Sequence, residues 1–293
     1  MIQLKDIKKM SALAEKWARQ GKTVGFVPTM GALHEGHLSL VRTAKRENDI
    51  AVASIFVNPI QFGPKEDFSR YPRDIQGDSK KLKSAGLDVL FTTTPAEMYT
   101  EGFATYVLAD EGMAGVLCGA RRPGHFRGVL TVVAKLFNIV RPTVAYFGQK
   151  DFQQAALISR MAADLNFPLK VAVCPTIREK DGLAMSSRNM YLDVRERAQA
   201  VVVSRALFEG KRIIERCGEC DSRKVIKKMR AIITAAPLAR IDYVEIVDRA
   251  TLKKSEKLEG KLAACAAVFF GKTRLIDNVL IDVPNRRRAP KKK

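Results

Sequence analysis

The sequence predicts an α/β protein: a doubly wound parallel sheet followed by a second, smaller α+β domain. Three observations predict it. Strand-like and helix-like stretches alternate from Ile7 to Cys174, the order expected of βαβ units. The segment "IAVASIFV" (Ile50–Val57) is apolar almost throughout, as a parallel strand covered on both faces must be. Near Pro175 the rhythm changes to two helical stretches followed by three strand-like ones.

In order, Ile7, Met10, Leu13 and Trp17 recur at helical spacing and "TVGFV" (Thr23–Val27) follows as a strand. A helix is expected from about His37, then the apolar strand at Ile50. Around "DSKKLKSAG" a helix precedes the strand "DVLFTT". Next come the helix "GVLTVVAKLFNIV", the strand "TVAYF", the helix "DFQQAALISRMAADL" and the strand "LKVAVC". Beyond Pro175, "ERAQAVVVSRALFEGKRIIERC" and "SRKVIKKMRAIITAA" read as two helices. "RIDYVEIVD", "KLAACAAVFFG" and "TRLIDNVLID" read as a short antiparallel sheet. The expected domains are residues 1–175, residues 176–284 and a basic tail, 285–293, that reads as disordered.

Composition narrows the class. Of 293 residues, 46% are hydrophobic, ample for a core, and no apolar run reaches the ~18 residues of a membrane helix. The start "MIQLKDIKKM" lacks the apolar region of a secretory signal. The five cysteines are odd in number and scattered, so they imply no disulfide framework and point to a reducing cytoplasm. The Cys217–Cys220 pair has no second pair or nearby histidine, and reads as neither redox nor metal site. A net charge of +20 attracts anions such as nucleotides. No zinc-finger spacing or aromatic-studded basic stripe accompanies it, so specific nucleic-acid binding is not expected.

Two of the chain's three histidines fall in "PTMGALHEGHLSLV" (Pro28–Val41). The stretch lies where a strand hands over to a helix, and a helix N-terminus is a natural seat for phosphate. His34 and His37 there can donate to phosphate oxygens, and Gly36 would admit a nucleotide close to the backbone. A zinc site with His125 as third ligand, or plain capping of a turn, remain the alternatives. Three further stretches carry chemistry. "FGQKDFQQ" packs Lys150, Asp151 and Gln154 into one turn, where lysine could reach a triphosphate and Asp151 could hold a metal or cap the helix. "GLAMSSRNMYL" sets Ser186, Ser187 and Arg188 on a loop suited to closing over phosphates. In "FVNPIQFGPKEDFSRYPR", Asn58 and Gln61 are neutral hydrogen-bonding groups fit for a small hydroxylated substrate, though Asn-Pro also suits a plain turn.

In this order, and with "RPGHFRGVLTVVAKLF" and "RLIDN", these stretches resemble the pantothenate synthetase (pantoate–β-alanine ligase) family, from about Ile2 to Ile281. The resemblance implies a Rossmann-like first domain in the class I nucleotidyltransferase and synthetase superfamily. It implies a cytoplasmic homodimer that condenses pantoate with β-alanine using ATP and Mg²⁺, through a pantoyl adenylate. Carried over, Met30, His34, His37, Gly148, Lys150, Asp151, Met185, Ser186, Ser187 and Arg188 would bind ATP. Of these, His34, His37, Lys150 and Arg188 would be catalytic. Gln61, Gln154, Asn58 and Tyr71 would hold pantoate, no protein metal ligand is implied, and the Met185–Arg188 run matches the loop that closes on the triphosphate. Gln149 stands where many members have Glu, and the basic tail is not a family feature. A dinucleotide-forming nucleotidyltransferase and a nucleic-acid-binding protein are the competing classes.

Overall fold

The chain opens with a three-residue strand, β1 (Ile2–Leu4), too short to announce itself in sequence but paired in parallel with a strand far along the chain. The computed structural model describes residues 1–64, 66–217 and 221–283, the side chain of Cys217 excepted. The Cys217–Cys220 thiol pair and the tail 285–293 therefore lie outside the described residues. Contacts divide the chain into two units: Met1–Arg178 with Met185–Ser187, and Glu179–Ala184 with everything from Arg188 onward.

The first unit alternates as the sequence does. After β1 come α1 (Ile7–Arg19), β2 (Val24–Thr29), α2 (Glu35–Glu47), β3 (Ile50–Ile55), α3 (Ile75–Ser84) and β4 (Val89–Thr92). Short turns α4 (Pro95–Met98) and α5 (Glu111–Ala114) lead to α6 (His125–Val140), β5 (Val144–Gly148), α7 (Phe152–Asp164) and β6 (Lys170–Cys174). The six strands form one parallel sheet in the order β1-β4-β3-β2-β5-β6. The order reverses at β2, which lies between β3 and β5, and ligands of such sheets bind beyond the carboxyl ends at that reversal.

Helix α6 shows why the sheet is covered so completely. It is apolar nearly all round, with 13 of its 16 residues buried, because α1 packs against it from one side and the sheet from the other. Its first turn also lies beneath a single 3₁₀ turn, Pro59–Gln61, that follows β3. Gly128 makes that approach possible: an added Cβ would meet the Ile60 carbonyl and come 2.6 Å from Gln61 Cα.

In the second unit the expected single helix over residues 196–217 is two, α8 (Val194–Ala200) and α9 (Val202–Cys217). The break falls in Val201–Val203, a β-branched run of weak helix formers. Helix α10 (Ser222–Thr234) and strands β7 (Ala239–Asp248), β8 (Gly260–Phe270) and β9 (Thr273–Val283) complete it. The strands pair antiparallel with β8 central. α9 and α10 cover one face, burying Leu207, Ile214, Met229 and Ile233 against Ala264, Ala266 and Val268. No helix among the described residues is long and apolar enough to cross a membrane.

Two glycines allow a test of packing. At Gly210 of α9 an added Cβ would meet only the Met229 thioether chain, which can swing aside. Gly128→Ala is expected to cost about 1–3 kcal/mol as rigid backbone is forced apart. Gly210→Ala should cost less, because helix propensity offsets part of the clash. Urea unfolding of both variants measures the difference; equal costs would contradict the close approach at Gly128.

Candidate active site

Three neighbouring strands deliver three of the stretches singled out above. The connection after β2 carries Met30 and His34 and leads into the first turn of α2, which bears His37; the turn after β3 carries Asn58 and Gln61; the end of β5 and the turn beyond it carry Gly148, Lys150 and Asp151. Strand adjacency alone thus gathers residues separated by more than a hundred positions.

His34 is the N-cap of α2, and the two imidazoles build the cap themselves. His34 Nδ1 accepts the Gly36 N–H at 3.1 Å, and His37 Nδ1 accepts the His34 N–H at 3.4 Å. This is a capping box made of histidines, with ring centroids 4.2 Å apart. The expected phosphate seat is therefore modified: the first-turn amide of Gly36 is spent on His34. Gly36 is required chiefly because a Cβ there would come 2.8 Å from His34 Cε1. An Nδ1 that accepts a backbone N–H carries no proton, so each neutral ring holds its proton on Nε2.

Burial first, and then the neighbouring His34, push the His37 pKa down to about 3. Lys150 and Lys81 lower it further and Asp151 opposes them, which links the β5 turn electrostatically to the β2 turn. Lys150 Nζ lies 3.9 Å from Asp151 Oδ1. Asp151 occupies the N-cap position of α7, yet its side chain makes no capping hydrogen bond, so the capping alternative does not account for it.

Around Gln61 every polar atom has a direction. The Tyr99 hydroxyl donates to Asn58 Oδ1 at 2.7 Å. Asn58 Nδ2 donates to the Gly128 carbonyl at 3.1 Å and to Gln61 Oε1 at 3.0 Å. That fixes the Gln61 amide with its oxygen toward Asn58 and its Nε2 donating to the Met30 thioether at 3.0 Å. Asn58 is 1% exposed; it braces Gln61 from behind. Tyr71, expected beside the same substrate, is buried with its ring edge toward Phe62.

The "FQQ" glutamines separate cleanly. Gln153 is buried and its amide ties Cys118 N–H to the Met113 and Val116 carbonyls. Gln154 is half-buried and takes no part in that tie. Met185–Ser187 count with the first unit, Met185 N–H bonding the Ile177 carbonyl at 3.0 Å, whereas Arg188 belongs to the second.

His125 is engaged on both sides of its ring. Its Nδ1 lies 2.8 Å from the Gln61 carbonyl and its Nε2 2.8 Å from Arg122, so both ring nitrogens are occupied. No cluster of three or more His, Cys, Asp or Glu side chains suited to a metal occurs among the described residues. Arg122 in turn grips both oxygens of Glu66, at 2.6 and 2.7 Å. Tyr99, Arg122 and Glu66 carry no spacing signal; only the fold brings them to Asn58 and Gln61.

Comparison with known proteins finds relatives along nearly the whole chain. The family model described as pantoate-beta-alanine ligase matches residues 2–280. The chain is 56% identical to the pantothenate synthetase of Moorella thermoacetica over 91% of its length and 94% of that protein's. It is 54% identical to that of Heliobacterium modesticaldum over 96% and 99%. Among solved structures, the pantothenate synthetase of Thermus thermophilus superposes with a TM-score of 0.90 at 44% identity, covering 95% of this chain and 99% of the other. The pantoate-beta-alanine ligase of Francisella tularensis, complexed with beta-gamma ATP and beta-alanine, gives 0.79 at 36% identity, covering 96% and 97%.

The protonation pattern is testable because there are only three imidazoles. His125, driven down to about 4 by burial and then by Arg122, donates from Nδ1 to a carbonyl and so is the opposite tautomer to His34 and His37. Long-range ¹H–¹⁵N spectra should show two Nε2–H rings and one Nδ1–H ring at pH 7. Both depressed values lie below the 6.5 of an unfolded imidazole. The stability these neutral rings contribute is therefore full above about 6.5 and is lost as pH falls toward 4 and then 3. A His37 titrating near 6.5 would refute the assignment.

Proposed function

Because the chain belongs to the pantoate–β-alanine ligase family, we propose that the turns after β2 and β5 hold the nucleotide phosphates while Gln61 and Gln154 hold pantoate. The reaction is the ATP-dependent condensation of pantoate with β-alanine to pantothenate. In the first step a pantoate carboxylate oxygen attacks the α-phosphorus of ATP. The bond from that phosphorus to the bridging oxygen breaks, and pyrophosphate departs with the electron pair. In the second, the neutral amine of β-alanine attacks the acyl carbon, loses a proton, and expels AMP.

The observation that carries this division is the fixed hydrogen-bond polarity of the two turns. His34 and His37 are set as neutral Nε2–H donors beside Lys150, which suits phosphate oxygens gaining charge as pyrophosphate leaves. Gln61 is set as an Nε2 donor by the Asn58 bond to its oxygen, which suits a carboxylate or hydroxyl oxygen. In-line geometry, rather than covalent help from the protein, is what such a transfer requires. Met30, Gly148 and Asp151 complete the nucleotide side, and Tyr71 the pantoate side. The Met185–Arg188 run is assigned to the triphosphate and the second unit to the role of lid. ATP is taken as its magnesium complex, in which the ion would offset the charge of the phosphates. We assign the enzyme to the cytoplasm and to a homodimer, which light scattering measures directly.

Labelled pyrophosphate should exchange into ATP with pantoate and Mg²⁺ present and β-alanine absent, because the first step needs no amine. Exchange without pantoate, or none with it, would remove the adenylate reading. His34→Ala or His37→Ala should slow exchange by roughly two to three orders of magnitude. Gln61→Ala should lower kcat/KM for pantoate roughly tenfold to a hundredfold, the effect of one hydrogen bond to a charged group, with little change in KM for ATP.

A further inference from the structure

The turn that presents the histidines is held from outside by helix α3, and nothing in the motif reading uses that contact. Gly31 and Ala32 both have positive φ, 84° and 51°, a reversal that an alanine adopts only at a cost. Leu33 follows, and both polar groups of its backbone are seized by α3. Its N–H donates to Asp78 Oδ1 at 2.9 Å, and its carbonyl accepts from Lys81 Nζ at 2.8 Å. The two side chains are 3.6 Å apart. Asp78 is 1% exposed, and its Oδ2 makes no hydrogen bond among the described residues. That oxygen would lie 3.1 Å from a Cβ on Gly31, so the glycine is needed for space as well as for its φ.

The Leu33 carbonyl belongs to the same peptide unit as the His34 N–H, and that N–H donates to His37 Nδ1. A continuous path therefore runs from Lys81 Nζ–H to the Leu33 carbonyl, across one peptide, and from His34 N–H to the His37 ring. An ammonium on the carbonyl polarises the peptide and strengthens its N–H as a donor, since hydrogen bonds in series reinforce one another. We propose that Lys81, seated by Asp78, is a positioning residue that acts through the Leu33–His34 peptide to hold His37 as the Nε2–H tautomer facing the nucleotide phosphates. Asp78 is retained despite the cost of burying a carboxylate because it fixes both the turn and the lysine. The groups that bear on His37 are His34 from its own turn, Lys150 and Asp151 from the β5 turn and Lys81 from α3. Lys81 is the one of these that also touches the peptide feeding its Nδ1.

The catalytic part of this proposal rests on the phosphate assignment above; the tautomer part does not. Lys81→Met keeps the stem of a half-exposed side chain and removes both donor and charge, so the fold should persist. In that variant the His37 pKa should rise and its Nε2–H signal should weaken or exchange, while the His125 signals stay in place. Pyrophosphate exchange should fall roughly tenfold or more, the effect of one charge-assisted hydrogen bond, with KM for pantoate within about twofold. Lys81→Arg, which keeps a donor and a charge, should recover most of the loss. Unchanged His37 signals in Lys81→Met would overturn the proposal, as would equal shifts at His37 and His125 accompanied by a lowered melting temperature, which would mark a merely structural residue. If the wild-type protein shows no pantoate-dependent exchange, the functional reading fails, and the imidazole spectra still decide the path from Lys81.

Discussion

The histidine capping box at the start of α2 is the constraint on which the site depends. A helix must satisfy its first N–H groups, and here the satisfying acceptors are the Nδ1 atoms of His34 and His37. Local folding and chemistry are thereby one choice. To cap the helix, both rings must be unprotonated at Nδ1; once they are, the remaining proton sits on Nε2. Neutrality also resolves an electrostatic problem, because two imidazolium ions with centroids 4.2 Å apart, near Lys150, would repel one another before any anion arrived.

The amide side of the site is built on the same logic with different atoms. Gln61 could present either its oxygen or its nitrogen, and its own backbone does not decide. The choice is made by the Gly128 carbonyl, which can only accept: it turns Asn58 Nδ2 toward itself and so leaves Asn58 Oδ1 to accept from the Tyr99 hydroxyl. Gly128 matters twice, giving the carbonyl and the space for the Pro59–Gln61 turn. From the other side, His125 holds the Gln61 carbonyl and is held by the Arg122–Glu66 pair. The setting of this one glutamine thus uses residues from three separate stretches of chain.

That distribution explains what was legible in sequence. Five of the six strands were readable because buried parallel strands are nearly all apolar and the helices between them keep their period; β1 escaped because three residues carry no period. His34, His37, Asn58, Gln61 and Lys150 could be singled out because each lies within or just past the connection that follows a strand. Asp78, Lys81, Tyr99, Arg122 and Glu66 were not, because each acts on a residue at least 41 positions away and has an ordinary local setting. Geometry speaks against the zinc alternative for His125, since Nδ1 donates to the Gln61 carbonyl and the Nε2 lone pair is taken up by Arg122. The break of the long helix at Val201 reflects propensity that apolar periodicity does not record.

The strengths of these contacts are ordered in a way that favours binding. Behind the site the partners are strong: a carboxylate gripping guanidinium, a phenol on an amide oxygen, an ammonium on a carbonyl. In front, Gln61 Nε2 meets the Met30 sulfur, and a thioether is a weak acceptor. Replacing that contact with a carboxylate oxygen gains a charge-assisted bond and gives up little. Had a backbone carbonyl stood where the sulfur is, much of the gain would be cancelled by the bond broken. Rigid support behind and a weak partner ahead fix the donor in direction in advance, so that an oxygen ligand arriving there would spend little of its interaction energy on ordering it.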